Sequence, residues 1–242
     1  MFNAAKAFIK QTPLAKPLIF LKGKFTRPHS QNDEAEVLAG LLKRYDVPKC
    51  FIEFGFSGWE FNCAPLAYEW DGLLVDGDAY NVTIATTILP QRVVAKQLWL
   101  TLETLQFVRD YAETRPIGIL SIDVDGNDYW FLKKLIDLRP AIVISEYNSV
   151  FGLRSVTVPY DAAFDRRNYP AWAYYGASLS ALTSLAERHG YALIAQTTGV
   201  NAFFVRQDLL RPTDQRLSAT EAYQPRRTEA WEQIKHLPLL TV

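Results

Sequence analysis

Histidine is scarce here: 242 residues hold only His29, His189 and His236. Imidazole is the usual general base, so proton transfer must fall to one of these three or to carboxylates. Cysteine is rarer still, with Cys50 and Cys63 alone, both in or beside apolar stretches. A buried pair of free thiols suits that placement better than a disulfide, and nothing demands an oxidising compartment. Charge of one sign is also missing: 26 basic and 26 acidic residues cancel. That balance argues against a general nucleic-acid binder, which carries a basic excess. No apolar run approaches the roughly 20 residues that span a bilayer. The start of the chain lacks the apolar stretch and small-residue cleavage site of a signal peptide, so a cytoplasmic protein is expected. Repeats, low-complexity tracts and interdomain linkers are absent too.

What is present is apolar: hydrophobic residues make up 49% and aromatics 13%, enough for a sizeable core. One local imbalance stands out. Residues 1–29 carry Lys6, Lys10, Lys16, Lys22, Lys24 and Arg27, and the first acid is Asp33. Interleaved with Phe8, Ile9, Leu18, Ile19 and Phe20, this arm fits two roles. It packs its apolar residues on the domain, or it contacts an anionic membrane surface as a peripheral protein of the inner face.

The remainder alternates strand and helix patterns. "CFIEFG", "GLLVDGD", "IGILSIDVDG" and "AIVISEYN" are short apolar runs, each ending on a carboxylate, and "QRVVAKQLWL" is a weaker strand. Helical spacing fills the gaps in "SQNDEAEVLAGLLKRY", "AYNVTIATTIL", "TLETLQFVRDYAE" and "DYWFLKKLIDL". Such alternation predicts a parallel sheet covered on both faces. After a further helix, "SLSALTSLAERHG", comes "YALIAQTTGVNAFFVRQ", two strands around a short turn. A hairpin pairs antiparallel, so one strand of the sheet must run backwards. Ordinary NAD-binding folds lack that terminal hairpin; folds that bind S-adenosylmethionine have it.

Ligands of open α/β sheets bind beyond the carboxyl ends of the strands, where Glu53, Asp76, Asp123 with Asp125, and Glu146 all fall. "EFGFSG" spaces Gly55 and Gly58 as a loop that approaches a ligand, or as a structural turn. Glu53, standing where a dinucleotide fold has glycine, suits a cationic amino group. Asp76 lies about 20 residues on, the spacing of a ribose-binding acid; Asp78 is the nearby alternative. In "SIDVDGNDYW" a turn and helix cap use Asn127 and Asp128, leaving Asp123 and Asp125. With Glu146 and Asn148 these make an all-oxygen set for Mg²⁺ or another hard cation. A calcium loop of the EF-hand kind is excluded, since Asp128 takes its glycine position and Lys134 its final glutamate.

"SQNDE", "EFG", "LSIDVDGNDYW", "ISEYN", "YYGASL" and "GVNAFFV", in that order from Ser30 to Val205, resemble the FkbM-like methyltransferases, especially members acting on bacterial glycans. The resemblance implies an α/β, Rossmann-like class I methyltransferase fold: a seven-stranded, mostly parallel sheet with an antiparallel last strand and helices on both faces. It implies S-adenosylmethionine as cofactor and O-methylation of a sugar hydroxyl on a glycan or glycolipid. Glu53, Gly55 and Gly58 would surround the methionine end, Asp76 would hold the ribose, and Asp123 and Asp125 would face the methyl group. Asp125, with Asp123 and Asn127, is the expected catalytic group, and His29 is an alternative base. Gln31, Tyr174, Tyr175 and Asn201 are expected at the acceptor. The domain is expected over residues 30–210, with an acceptor-side insertion at 149–175 and a helical extension at 211–242. Within the insertion, aromatic residues interleave with Arg154, Arg166 and Arg167; they suit an acidic sugar or a satellite core equally. Two further readings stay open: a small phenolic or macrolide acceptor, and a binding domain without turnover.

Overall fold

The computed structural model describes residues 15–242. The part of the basic arm before Ala15, with Lys6, Phe8, Ile9 and Lys10, lies outside the described residues.

Seven strands form one sheet: β1 (Cys50–Phe54), β2 (Asp71–Asp76), β3 (Val93–Gln97), β4 (Ile119–Ile122), β5 (Ile142–Glu146), β7 (Tyr191–Thr197) and β8 (Asn201–Arg206). Their order is β3-β2-β1-β4-β5-β8-β7. The first five pair in parallel, while β8 runs antiparallel to both β5 and β7. This is the Rossmann-like class I methyltransferase fold. The reversed strand is the last in sequence but not the edge; β8 is inserted between β5 and β7, because the hairpin folds back toward the sheet centre.

Alternate residues of each central strand feed opposite faces. Ile52, Phe54, Leu120 and Ile122 join one core with Val108, Leu132 and Leu182. Phe51, Leu74, Ile119 and Ile144 join the other with Leu38 and Leu41. Helices α1 (Ala15–Gly23), α2 (Glu34–Arg44), α3 (Ala79–Ile88), α4 (Gln106–Ala112), α5 (Asp128–Leu135) and α6 (Leu179–Arg188) supply the outer layers. With both faces covered, the strands can be apolar throughout, as the sequence has them. Cys50 and Cys63 are buried and unpaired in disulfides. Ser178 caps α6, its hydroxyl accepting from the Ala181 amide, and His189 closes the helix.

Residues 149–175 build a third core from Phe151, Phe164, Tyr174 and Val158, completed by Ala230 and Ile234 of the chain's end. That end is less helical than expected. It holds two single-turn α-helices, α7 (Ala219–Ala222) and α8 (Trp231–Ile234), the second preceded by a 3-10 turn at Thr228–Ala230, and a strand, β9 (Leu240–Thr241), paired with β6 (Val156–Thr157) of the insertion. Short turns suffice because the extension is held by packing on the insertion. Among the described residues no helix is long and apolar enough to cross a membrane.

Candidate active site

Each parallel strand delivers its terminal residue to the same edge of the sheet, and three pockets open there, two of which hold most of the strand-end acids. The first, about 320 Å³, is bounded by Gly55, Asp76, Asn81, Trp99, Val124 and Phe131. The second, about 400 Å³, has Glu53, Asn62, Asp123 and Glu146 among its lining, with Gln31 and Tyr175. Gly55, Ser57, Asp123 and Asp125 belong to both pockets, so the two meet at the opening of the SIDVDGND loop.

Gly55 makes that meeting possible. Its φ is +71°, and a Cβ there would stand 1.5 Å from the Asp123 carbonyl oxygen. The β1 loop therefore crosses the β4 loop with no room for a side chain. Gly58 serves another purpose: a Cβ would meet Ile84 of α3 at 2.5 Å, and its amide donates to Asn81 Oδ1 at 3.2 Å. It packs the loop on α3 and does not line either pocket, so its expected place at the methionine end is corrected.

Asp76 and Asp78 divide two jobs. Asp78 caps α3, accepting from the Tyr80 amide at 2.7 Å. Asp76 Oδ1 accepts from the Asp78 amide at 2.6 Å and from Asn81 at 3.3 Å. Its Oδ2 has no protein hydrogen bond among the described residues. Burial raises the Asp76 pKa against those two bonds. A ribose hydroxyl donating to Oδ2 would relieve that desolvation. Trp99, in "QLWL" just past β3, lines the same pocket as Asp76 and is anchored by Nε1 donating to the Ala162 carbonyl at 2.8 Å. Sequence reading passed over it, although its place at a strand's carboxyl end was the available signal.

Glu53 is not free to meet a cationic ligand. Its Oε1 accepts from the Asn62 amide at 2.6 Å and its Oε2 from the Cys63 amide at 2.8 Å. It clamps the following loop beneath the second pocket, and burial pushes its pKa up to about 7 despite both bonds.

The acidic loop is held from inside. Asp128, fully buried, accepts from the Val124 and Gly126 amides, each at 2.9 Å. It stands at the first position of α5 and reaches back to brace the loop, so it does not cap the helix as the sequence suggested. Burial lifts its pKa to about 6 even with those bonds. Asn127 donates to the Asp161 carbonyl at 2.8 Å and accepts from the Asp161 amide at 3.3 Å. Its amide is thereby engaged in fastening the insertion to the loop, a positioning role in place of the expected catalytic one. Asp125 adopts a φ of +56° and projects outward, where Arg166 of the insertion forms an ion pair with it. The same guanidinium lies 4.3 Å over the Tyr175 ring.

Asp123, Asp125 and Glu146 each offer an oxygen, and the three lie within 4.8 Å of one another. Glu146 Oε2 is buried without a hydrogen-bond partner. Desolvation, then the neighbouring acids, hold the Asp123 and Glu146 pKa values well above the usual carboxylate range. This oxygen set fits a hard cation. Asn148 does not join it: its amide donates to the Ala173 and Tyr175 carbonyls, at 2.8 and 3.0 Å, and its Oδ1 accepts from the Val150 amide at 3.0 Å. Backbone demand in the insertion has claimed that side chain.

On the acceptor side Gln31 and Tyr175 line the second pocket, but Tyr174 and Asn201 do not. Tyr174 is in the third core with its hydroxyl on the Pro238 carbonyl. Asn201 donates to buried Glu34 at 3.1 Å, leaving Gly199 and Val200 to face the pocket. Of the insertion's arginines, Arg167 pairs with Asp165 and Arg154 lies 4.0 Å over Trp231. Only Arg166 reaches the pocket, joined by Arg226 and Arg227 from the extension, which sequence reading did not place there. His29 lines neither pocket; its ring is exposed and its Nδ1 lies 2.9 Å from the Ser30 carbonyl, so it is no base for this site.

No family model matches the sequence, and no curated protein matches it. Solved structures do resemble the fold. The N-terminal domain of EvdMO1, crystallised in the presence of SAH and D-fucose, is 15% identical with a TM-score of 0.45, over 73% of this chain and 83% of that one. Cofactor-bound Rv0187 from MTB is 15% identical with a TM-score of 0.46, over 84% and 96%. A TehB-like SAM-dependent methyltransferase from Corynebacterium glutamicum is 13% identical with a TM-score of 0.41, over 72% and 88%. At these similarities the likeness is one of fold.

Proposed function

We propose that the protein is an S-adenosylmethionine-dependent O-methyltransferase acting on a hydroxyl of a glycan or glycolipid. The observation that carries this reading is the junction of the two pockets at Gly55, Asp123 and Asp125. A donor held through Asp76 and Trp99 and an alcohol held beside Gln31 and Tyr175 would meet there. S-adenosylmethionine, when bound, supplies an electrophilic methyl group on a sulfonium. The work left to the chain is to align the hydroxyl in line with that group and to take its proton.

Glu146 is the group we assign to the proton, in place of Asp125: it lines the second pocket and its buried Oε2 has no hydrogen-bond partner among the described residues, whereas Asp125 is held by Arg166. Asp123, between the pockets, orients the donor. Should a hard cation bind, Asp123, Asp125 and Glu146 would hold it, and its charge would acidify the hydroxyl. The second pocket's acids, amides and arginines suit a polyhydroxylated acceptor better than a flat phenol or a macrolide, which need apolar walls.

Calorimetry with S-adenosylhomocysteine, followed by transfer of labelled methyl groups to glycan and phenol panels, tests the reading. Wild type should bind and methylate a glycan. Asp76→Ala should weaken nucleoside binding at least tenfold, and Glu146→Gln should lower turnover by a hundredfold or more with that binding intact. Binding without transfer to any acceptor would favour a silent binding domain, and absence of binding would end the proposal.

A further inference from the structure

Helix α1 is apolar nearly all round, yet it buries only one large side chain. Ile19 is 5% exposed and packs with Ile84, Ile88 and Trp59. Leu18, Phe20, Leu21 and Phe25 are 49%, 54%, 55% and 84% exposed, and they account for four of the nine large hydrophobic side chains most open to solvent among the described residues. Four of nine within eight positions is a patch, not scatter. Cations surround it: Lys16, Lys22, Lys24 and Arg27 are all exposed. Lys24 lies 4.9 Å over the Phe20 ring and Lys22 4.2 Å over Trp59, so charge and apolar surface are interleaved.

We infer that α1 and the turn after it form a docking surface for an anionic lipid bilayer. The occupant is chosen by charge. Residues 1–32 contain six cations and no acid. A second copy would bring the same positive patch against itself, and the segment before Ala15, with Lys6 and Lys10, would bring more of the same sign. A bilayer bearing acidic headgroups offers what neither can: negative charge directly above an apolar medium. Phe25 and Leu21 would enter the acyl boundary while Lys16 and Lys24 meet headgroup phosphates. The packing of Ile19 on α3 fixes the patch to the domain. The chain leaves it through His29, whose backbone bonds to Trp59 and Phe61, two residues before Gln31 at the second pocket. This surface stands or falls separately from the methyl-transfer reading.

Co-sedimentation of the full chain with vesicles tests it, comparing phosphatidylcholine alone with phosphatidylcholine containing a third phosphatidylglycerol. Binding to the anionic vesicles only, weakened tenfold or more between 50 and about 500 mM salt, is expected. Leu21→Ser/Phe25→Ser and Lys16→Glu/Lys24→Glu should each lower binding at least tenfold with unchanged urea midpoints. Unaltered binding by both double variants would overturn the assignment, as would failure to bind anionic vesicles at low salt. Self-association in ultracentrifugation, abolished by the serine variant without any vesicle binding, would show instead that the patch joins two copies.

Discussion

Asn201 and Glu34 are 167 positions apart in the chain, and the Asn201 amide donates to the Glu34 carboxylate at 3.1 Å. Thr197, at the other end of the hairpin turn, donates to the same oxygen at 3.1 Å, and Asn32 supplies two further bonds. Burial alone would raise the Glu34 pKa, but these donors outweigh it and hold it below the ordinary value. The start of α2 is thus pinned to the β7–β8 turn by one fully buried carboxylate.

Replacing that acid by its amide sets donor against donor at Asn32 and leaves a buried group unpaired. Glu34→Gln should lower stability by about 2–3 kcal/mol at pH 7, read as a shift of the urea midpoint at constant slope.

The two loop glycines should respond differently. Gly55→Ala forces a Cβ into backbone at a positive φ, and nothing nearby can yield. It should cost about 3 kcal/mol or more and abolish S-adenosylhomocysteine binding by calorimetry. Gly58→Ala presses only on the Ile84 side chain and should cost about 1–3 kcal/mol with nucleoside affinity within threefold of wild type.

Stability should have an unusual pH course. Glu53 and Asp128 hold protons to about pH 7 and 6 when folded, well above an unfolded carboxyl near 4. Their folded-state pKa values are raised, so the stability they contribute is present in acid and lost as pH rises through 6 to 7. Glu34, shifted the other way, loses its contribution as pH falls below about 4. Thermal melts should therefore peak between about pH 4 and 5 and decline up to about pH 7, and Glu53→Gln should flatten the decline. Melts that rise steadily from pH 5 to 8 would contradict the assignment of these two buried acids.

Arg166 neutralises the acid cluster from the insertion. Its removal leaves Asp123, Asp125 and Glu146 facing one another uncompensated. If those oxygens are a cation site, Arg166→Met should tighten Mn²⁺ binding at least tenfold, followed by electron paramagnetic resonance. No gain would show that the arginine itself is the resident counter-charge.

Much of the architecture could be read from the chain because each element carries its own signal. Apolar runs ending in an acid marked four parallel strands, and the hairpin marked the reversal. Position beyond a strand's end likewise fixed the rim on which Glu53, Asp76, Asp123 and Glu146 stand. Element bounds were less legible than the elements themselves: "TLETLQFVRDYAE" becomes a helix only from Gln106 to Ala112, after a turn.

Sequence alone determined the sheet, its one reversed strand, the covered faces and the edge that gathers the acids, since all of these follow from periodicity and pairing rules along short segments. Tertiary structure decided which acids are spoken for. Glu53, Asn127, Asp128 and Asn148 look like ligand groups in a linear chain, yet buried backbone amides and carbonyls must find partners and take these side chains first. That demand arises only when distant loops meet. The carboxylate left unsatisfied, on Glu146, and the arginines brought in from residues 166 and 226 could be seen only once the fold had closed around them.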